Sequence, residues 1–233
     1  MAFYLKISRW LGLVLAIALG QAGHAKDWVN LFDGKTFKGW EKRGGTAEFV
    51  VEDGVILGTG PKRSPNTFLC TKKTYSDFVL ELEFKVDKEL NSGVQIRGAV
   101  YGGDTEVTKK GGKKKKRHQA GRVRGYQVEI DPDTTRNRMW TGGIYDEARR
   151  GWLADLSKNK PARDAFKADE WNHFRIQANG DEIKTWINGV HAVMLRDSMD
   201  ASGFIGLQVH GQGKDKGRAG KQARWRNIRI KEL

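Results

Sequence analysis

Residues 78–86 alternate without a break. Phe78, Leu80, Leu82, Phe84 and Val86 fall on one side, and Val79, Glu81, Glu83 and Lys85 on the other. A side-chain period of two is the repeat of an extended chain, so the segment predicts a half-buried β-strand. The same kind of pattern recurs over 94–97, 126–131, 173–178, 183–187, 190–195, 204–210 and 224–230. Before or between these runs lie Asp53 and Gly54, Ser92 and Gly93, Gly180 and Asp181, and Asn188 and Gly189. These residues tolerate the left-handed backbone of tight turns. Asn188 and Gly189, set between Trp186, Ile187 and Val190, are a strong hairpin signal. Short strands and turns at this spacing predict an all-β chain, a sandwich or jelly roll. Only 146–168 lacks strand character. Pro161 interrupts it, so irregular loop with at most a short helix is expected there.

The chain has 233 residues, and all-β sandwiches commonly use roughly 200–250 residues as one domain. No internal repeat or Pro-rich linker divides it, which predicts a single domain over 26–233. The first 25 residues read differently. Lys6 and Arg9 precede an uncharged apolar stretch over 10–19, and small residues stand at Gly23 and Ala25. That is the layout of a secretory signal peptide over 1–25, cut after Ala25. The apolar stretch falls short of the roughly 20 residues that span a bilayer. The expectation is export, to the periplasm or the extracellular medium, with no transmembrane segment in the mature chain. Cys70 is the sole cysteine, so it has no disulfide partner within the chain. Beside Phe68 and Leu69 it reads as a small buried apolar group.

The formal charge of +14 suggests a polyanion partner until its distribution is considered. Residues 109–124 hold nine Lys and Arg and no acidic residue, and 211–226 hold six basic residues against Asp215. Apart from these and the leader, the chain is close to neutral. The charge therefore sits in two Gly-rich stretches expected as surface loops, with 109–124 a flexible one. The run Lys113, Lys114, Lys115, Lys116 and Arg117 admits three readings: a solvated loop, a grip on an anionic polymer, or a nucleic-acid contact. It has no interleaved aromatic residues, which argues against nucleic acid.

Several motifs occur in order along the chain. Residues 31–40 open on Leu31, Phe32, Asp33 and Gly34 and close on Gly39 and Trp40. They are followed by 52–56, 91–98 from Asn91 to Gly98, and 125–131 from Gly125 to Asp131. Then come 141–145, 170–172, 186–189, 206–211 and 226–230. Together they resemble the 3-keto-disaccharide hydrolase family. The resemblance implies a concanavalin-like jelly-roll β-sandwich of two antiparallel sheets, and an enzyme acting on a saccharide. Two departures stand out. The Lys-rich stretch 109–117 lies outside the family's pattern, and Gln127 and Glu129 reverse its usual acid-then-amide order.

The alternation itself nominates a site. It places Gln95 and Arg97 on one face, Gln127, Glu129 and Asp131 on one face, and Gln208 and His210 on one face. A concave sheet surface rich in amides, carboxylates, Arg and His suits sugar hydroxyls, which need planar donors and acceptors. Tyr145 and Trp152 offer rings to stack on apolar sugar faces. The same residues would also serve merely to coat a solvated sheet, and for Glu81, Glu83 and Lys85 that is the preferred reading.

In the reaction the resemblance implies, a ketone at C3 acidifies the C2 proton, and its removal expels the group on C1. Such chemistry needs a base, an acid, and a group to stabilise the enolate. His210 or Glu129 suits the base, and Arg97 the enolate. A divalent metal held by a carboxylate and His210 is an alternative to Arg97. Glu129 and Asp131, two residues apart on one face, also suit a paired-carboxylate glycosidase. A non-catalytic carbohydrate-binding module would use the same face.

Overall fold

A computed structural model describes residues 27–88, 90–108, 115–132, 138–211 and 219–233. The leader expected over 1–25, and the lysines of 109–114, lie outside the described residues. Seventeen strands and one helix are found among them. In chain order the strands are β1 (Val29–Asn30), β2 (Trp40–Gly44), β3 (Glu48–Glu52), β4 (Val55–Thr59), β5 (Thr67–Thr71) and β6 (Phe78–Val86). Next come β7 (Ser92–Val100), β8 (Thr105–Thr108), β9 (Lys115–His118), β10 (Val123–Ile130), β11 (Ile144–Glu147) and β12 (Gly151–Ala154). The helix α1 (Lys160–Ala165) precedes β13 (Asn172–Asn179), β14 (Glu182–Ile187), β15 (Val190–Arg196), β16 (Phe204–Val209) and β17 (Gln222–Glu232).

The strands form two large antiparallel sheets, as the all-β expectation requires. One runs β15-β14-β13-β6-β17-β4-β3, with β1 on β17; the other runs β12-β11-β10-β7-β16-β5-β2. The apolar sides of the alternating strands meet between them. Phe78, Leu80, Leu82 and Phe84 of one sheet and Val94, Ile96, Tyr126, Val128 and Leu207 of the other are all fully buried in one cluster. Each such side chain contributes roughly 1.5–3 kcal/mol by leaving water. Because the period is two, the residues between them must point out of the sandwich.

Three local features refine the sequence reading. The β14–β15 turn has positive φ at both Asn188 (48°) and Gly189 (81°), the backbone that matches strand twist in a two-residue hairpin. Pro161 stands in the first turn of α1 rather than interrupting it, behind Asn159, whose side chain accepts from the Ala162 N–H at 3.2 Å. Proline is tolerated there because that N–H has no helical partner. The loop expected over 109–124 is partly strand: β9 pairs with β8, and Val123 and Arg124 begin β10. Acidic residues on and beside β8 permit this. Lys115 Nζ lies 3.4 Å from Glu106, and Arg117 lies 2.7 Å from Asp104.

The outward face of the eight-stranded sheet carries a charged network. Glu81, 8% exposed, accepts from Arg175 at 2.6 Å and from Arg229 at 2.6 and 3.0 Å. Burial alone raises this carboxyl, but the two guanidinium groups outweigh it and hold it below its ordinary range. Both oxygens of Glu81 are thereby tied to structure, in line with the sequence preference against a catalytic role.

Candidate active site

Strand register assembles the polar residues on the outward face of the seven-stranded sheet. One row crosses the sheet from Cys70 through Gly206, Gln95, Gln127 and Tyr145 to Trp152, each opposite the next on the neighbouring strand. A second row runs Phe68, Gln208, Gly93, Glu129. Six sequence candidates, Gln95, Gln127, Glu129, Tyr145, Trp152 and Gln208, are thus brought together. His210 follows Gln208 by two residues on β16's exit. Continuing the pairing of Gln208 with Gly93 and Val209 with Ser92 brings His210 opposite Asn91.

These side chains are wired to each other. Gln208 Nε2 donates to Gln127 Oε1 at 2.9 Å, and Gln127 Nε2 donates to Glu129 Oε2 at 2.6 Å. Glu129 Oε1 accepts from Asn91 Nδ2 at 2.6 Å. Gly93 makes the first link sterically feasible, since a Cβ there would stand 2.6 Å from Gln127 Cγ. Glu129 is only 6% exposed. Burial pushes its carboxyl up to about 8, against the pull of the Asn91 and Gln127 amides and with help from Asp131 and Glu147. The desolvation of the charged form wins because, among the described residues, no cation pairs with it. Gln95 is fully buried, and neither polar atom of its amide has a hydrogen-bond partner among the described residues.

The row ends in an aromatic wall. Tyr145 and Trp152 meet edge to face with centroids 5.4 Å apart, and Trp140 meets Trp152 at 4.8 Å. Arg138 lies over the Trp140 ring at 5.3 Å and reaches Asp131 Oδ2 at 2.8 Å. Asp131 is therefore buried near Glu129 and ion-paired with Arg138.

Beside Tyr145 is a cavity of about 280 Å³, lined by Asn66, His118, Arg122, Tyr145, Glu147 and His210 among others. His210 Nδ1 lies 2.8 Å from the Gly211 carbonyl. A carbonyl only accepts, so Nδ1 carries the hydrogen and Nε2 the lone pair of the neutral ring. Asn66 braces this wall, accepting from Gly211 N–H at 2.7 Å and donating to Glu147 at 3.1 Å. Glu147 also takes a hydrogen bond from Arg122, yet burial still raises its pKa. Glu129 does not line the cavity but is electrostatically coupled to Tyr145 and Glu147, which do.

One expectation is corrected. Arg97 does not share the face of Gln95. Its φ of +45° marks a β-bulge, and the pairing of β7 shifts register on both sides of it. The extra residue reverses the alternation. The side chain, 1% exposed, donates to the carbonyls of Ser76, Gly180 and Asp200 and to Asp77 Oδ1 at 2.9 Å. Arg97 staples three loops together and is removed from the chemistry. Asn66, Asn91, His118, Arg122, Arg138 and Glu147 are site residues that the sequence candidates did not include. Among the described residues, no cluster of three or more His, Cys, Asp or Glu is placed to hold a metal, and no helix is long and apolar enough to cross a membrane.

Comparison with solved structures supports the fold. A Bacillus subtilis protein of unknown function with a galectin-like fold matches 84% of this chain and 90% of its own, at TM-score 0.57 and 13% identity. Porphyranase B from Zobellia galactanivorans matches 89% and 93%, at 0.56 and 13%. A candidate glycosyl hydrolase from Parabacteroides distasonis ATCC 8503 matches 88% and 94%, at 0.54 and 20%. At these identities the likeness concerns architecture alone. Among curated proteins, none matches the chain by sequence. A family model described as the 3-keto-α-glucoside-1,2-lyase-like domain matches residues 27–231, so the chain belongs to that family, the one its motifs resemble.

Proposed function

We propose that the protein cleaves the C1–O bond of 3-keto-glucosides by elimination, using the outward face of the seven-stranded sheet. The observation that carries the reading is Glu129, a buried carboxyl held near pKa 8 at the end of the second row and hydrogen-bonded to Gln127 of the first. A carboxyl with that pKa keeps its proton at neutral pH and suits a general acid. His210, with its lone pair on Nε2 and its ring on the cavity wall, suits the base.

The steps follow from these roles. Nε2 takes the proton from C2, and the C–H electron pair moves into the enolate on the C3 oxygen. Arg122 lines the same cavity and supplies positive charge near that oxygen. As the enolate collapses to a C1–C2 double bond, the C1–O bond breaks and the departing oxygen takes the Glu129 proton through an intervening water, since Glu129 does not itself line the cavity. The products are an alcohol and an unsaturated 3-keto sugar, which water can hydrate. The half-buried rings of Tyr145 and Trp152 provide the apolar surface for the sugar.

Family membership supports the substrate class. A second reading, binding without turnover, is favoured by the likeness to the Emp47p carbohydrate recognition domain, at TM-score 0.53. The leader sequence over 1–25 supports action outside the cytoplasm. The test presents purified protein with 3-keto-disaccharides beside their unoxidised parents and follows products by chromatography. Selective cleavage of the keto forms is expected. Binding without cleavage would leave only the second reading.

A further inference from the structure

The lysine-rich stretch that departs from the family's pattern has a definite place in the fold. Strand β9 brings Lys116 and His118 to the wall of the cavity that holds His210 and Tyr145. A wider groove of about 820 Å³ continues outward, and Asn66, Lys116, His118 and Arg122 line both spaces. The combined volume is that of a ligand larger than the reacting sugar unit.

The charge of this extension is lopsided. Lys116, Arg117 and Arg122 line the two spaces, against Asp104 and Glu147, while Arg149, also on the lining, is paired with Asp146 and Asp200. Arg122 uses one guanidinium nitrogen on Glu147, while its Nε is buried with no hydrogen-bond partner among the described residues. An acceptor on a ligand would supply the partner this donor lacks. His118 is 7% exposed and stacked on Tyr101, ring planes 4° apart, so the wall is ordered rather than a loose fringe.

We infer that the groove between β9 and the His210 wall is a subsite for an anionic group, a carboxylate or sulfate ester, on a sugar neighbouring the one cleaved. The substrate class is an acidic saccharide. The inference rests on the saccharide reading of the site given above. Charge-assisted hydrogen bonds from Arg and Lys supply the preference. Interactions at a partly exposed groove are screened over a Debye length of about 8 Å at 0.15 M salt.

The experiment titrates the mature protein with three oligosaccharides of one backbone: neutral, uronate-bearing and sulfate-bearing. A single-stranded oligonucleotide of equal charge is the fourth ligand. An acidic form is expected to bind about tenfold or more tighter than the neutral one, and whichever arm shows this identifies the anion. The preference should shrink at about 1 M salt. It should fall toward one in the double variant Lys116→Glu, Arg117→Glu, whose fold is checked by its melting transition. Equal binding of neutral and acidic forms would overturn the inference, as would a preference that survives the double variant. Oligonucleotide binding as tight as that of the acidic saccharide would overturn it too. Cleavage of neutral 3-keto-glucosides without any acidic preference would sink this inference alone. No saccharide binding together with no cleavage would sink the parent reading with it.

Discussion

Replacing Glu129 by Gln should change how stability depends on pH. The native carboxyl titrates near 8, whereas in the unfolded chain it returns to its ordinary value near 4.5. Between those values the unfolded state releases a proton that the folded state retains. Stability from this group is therefore full below about pH 4.5 and declines as pH rises toward 8. The separation amounts to about 4–5 kcal/mol once pH exceeds 8.

Gln keeps the size of Glu129 but has no titration. It turns one acceptor oxygen into an NH₂ facing the donor amide of Asn91 or Gln127, a pH-independent cost of about 1–3 kcal/mol. The variant should then be the less stable protein at about pH 5 and the more stable one at about pH 9. Denaturant unfolding of both proteins across that range measures the difference, in which other titrating groups cancel. A difference that does not move with pH would refute the reasoning, because the carboxyl would then be ionised in the fold.

Further outcomes follow from individual contacts. His210→Ala should abolish turnover while leaving the melting transition nearly unchanged, since its half-buried ring sits on the cavity wall; unchanged turnover would remove it from the chemistry. Arg97→Ala should cost about 2–4 kcal/mol by stranding three carbonyls and Asp77. Folded Arg97→Ala should keep kcat within a few-fold at low temperature; loss of turnover in well-folded protein would restore Arg97 to the mechanism. Gly93→Ala places a methyl against Gln127, so it should destabilise by about 1–3 kcal/mol and reduce turnover through displaced Glu129, both read in one purified variant.

The sheets were legible in the sequence because their strands bury one side: 78–86 and 126–131 show it plainly. Faces were legible too, which is why Gln95, Gln127, Glu129 and Gln208 were found. Register was not, since a period of two says nothing about which residue of the next strand stands opposite. Arg97 misled because a bulge leaves no mark on the alternation up to Ile96.

Glu147 was missed for a different reason. In β11 the residue facing inward beside it is Asp146, fully buried and held by Arg149 and Arg150. A charged inward residue erases the apolar pattern by which a strand is recognised. Asn66 precedes β5, whose five residues are all buried, so no alternation announced that strand either. The signal that was available is the density of Arg over 149–150 beside Asp146, which read as loop composition.

The decisive measurement is the fate of deuterium placed at C2 of a 3-keto-glucoside, followed by mass spectrometry of the cleaved sugar. Elimination through His210 and Glu129 predicts that the label is lost to water and appears nowhere in the sugar product. A cleaved sugar that keeps its deuterium at C2 would contradict elimination and leave direct displacement at C1 instead.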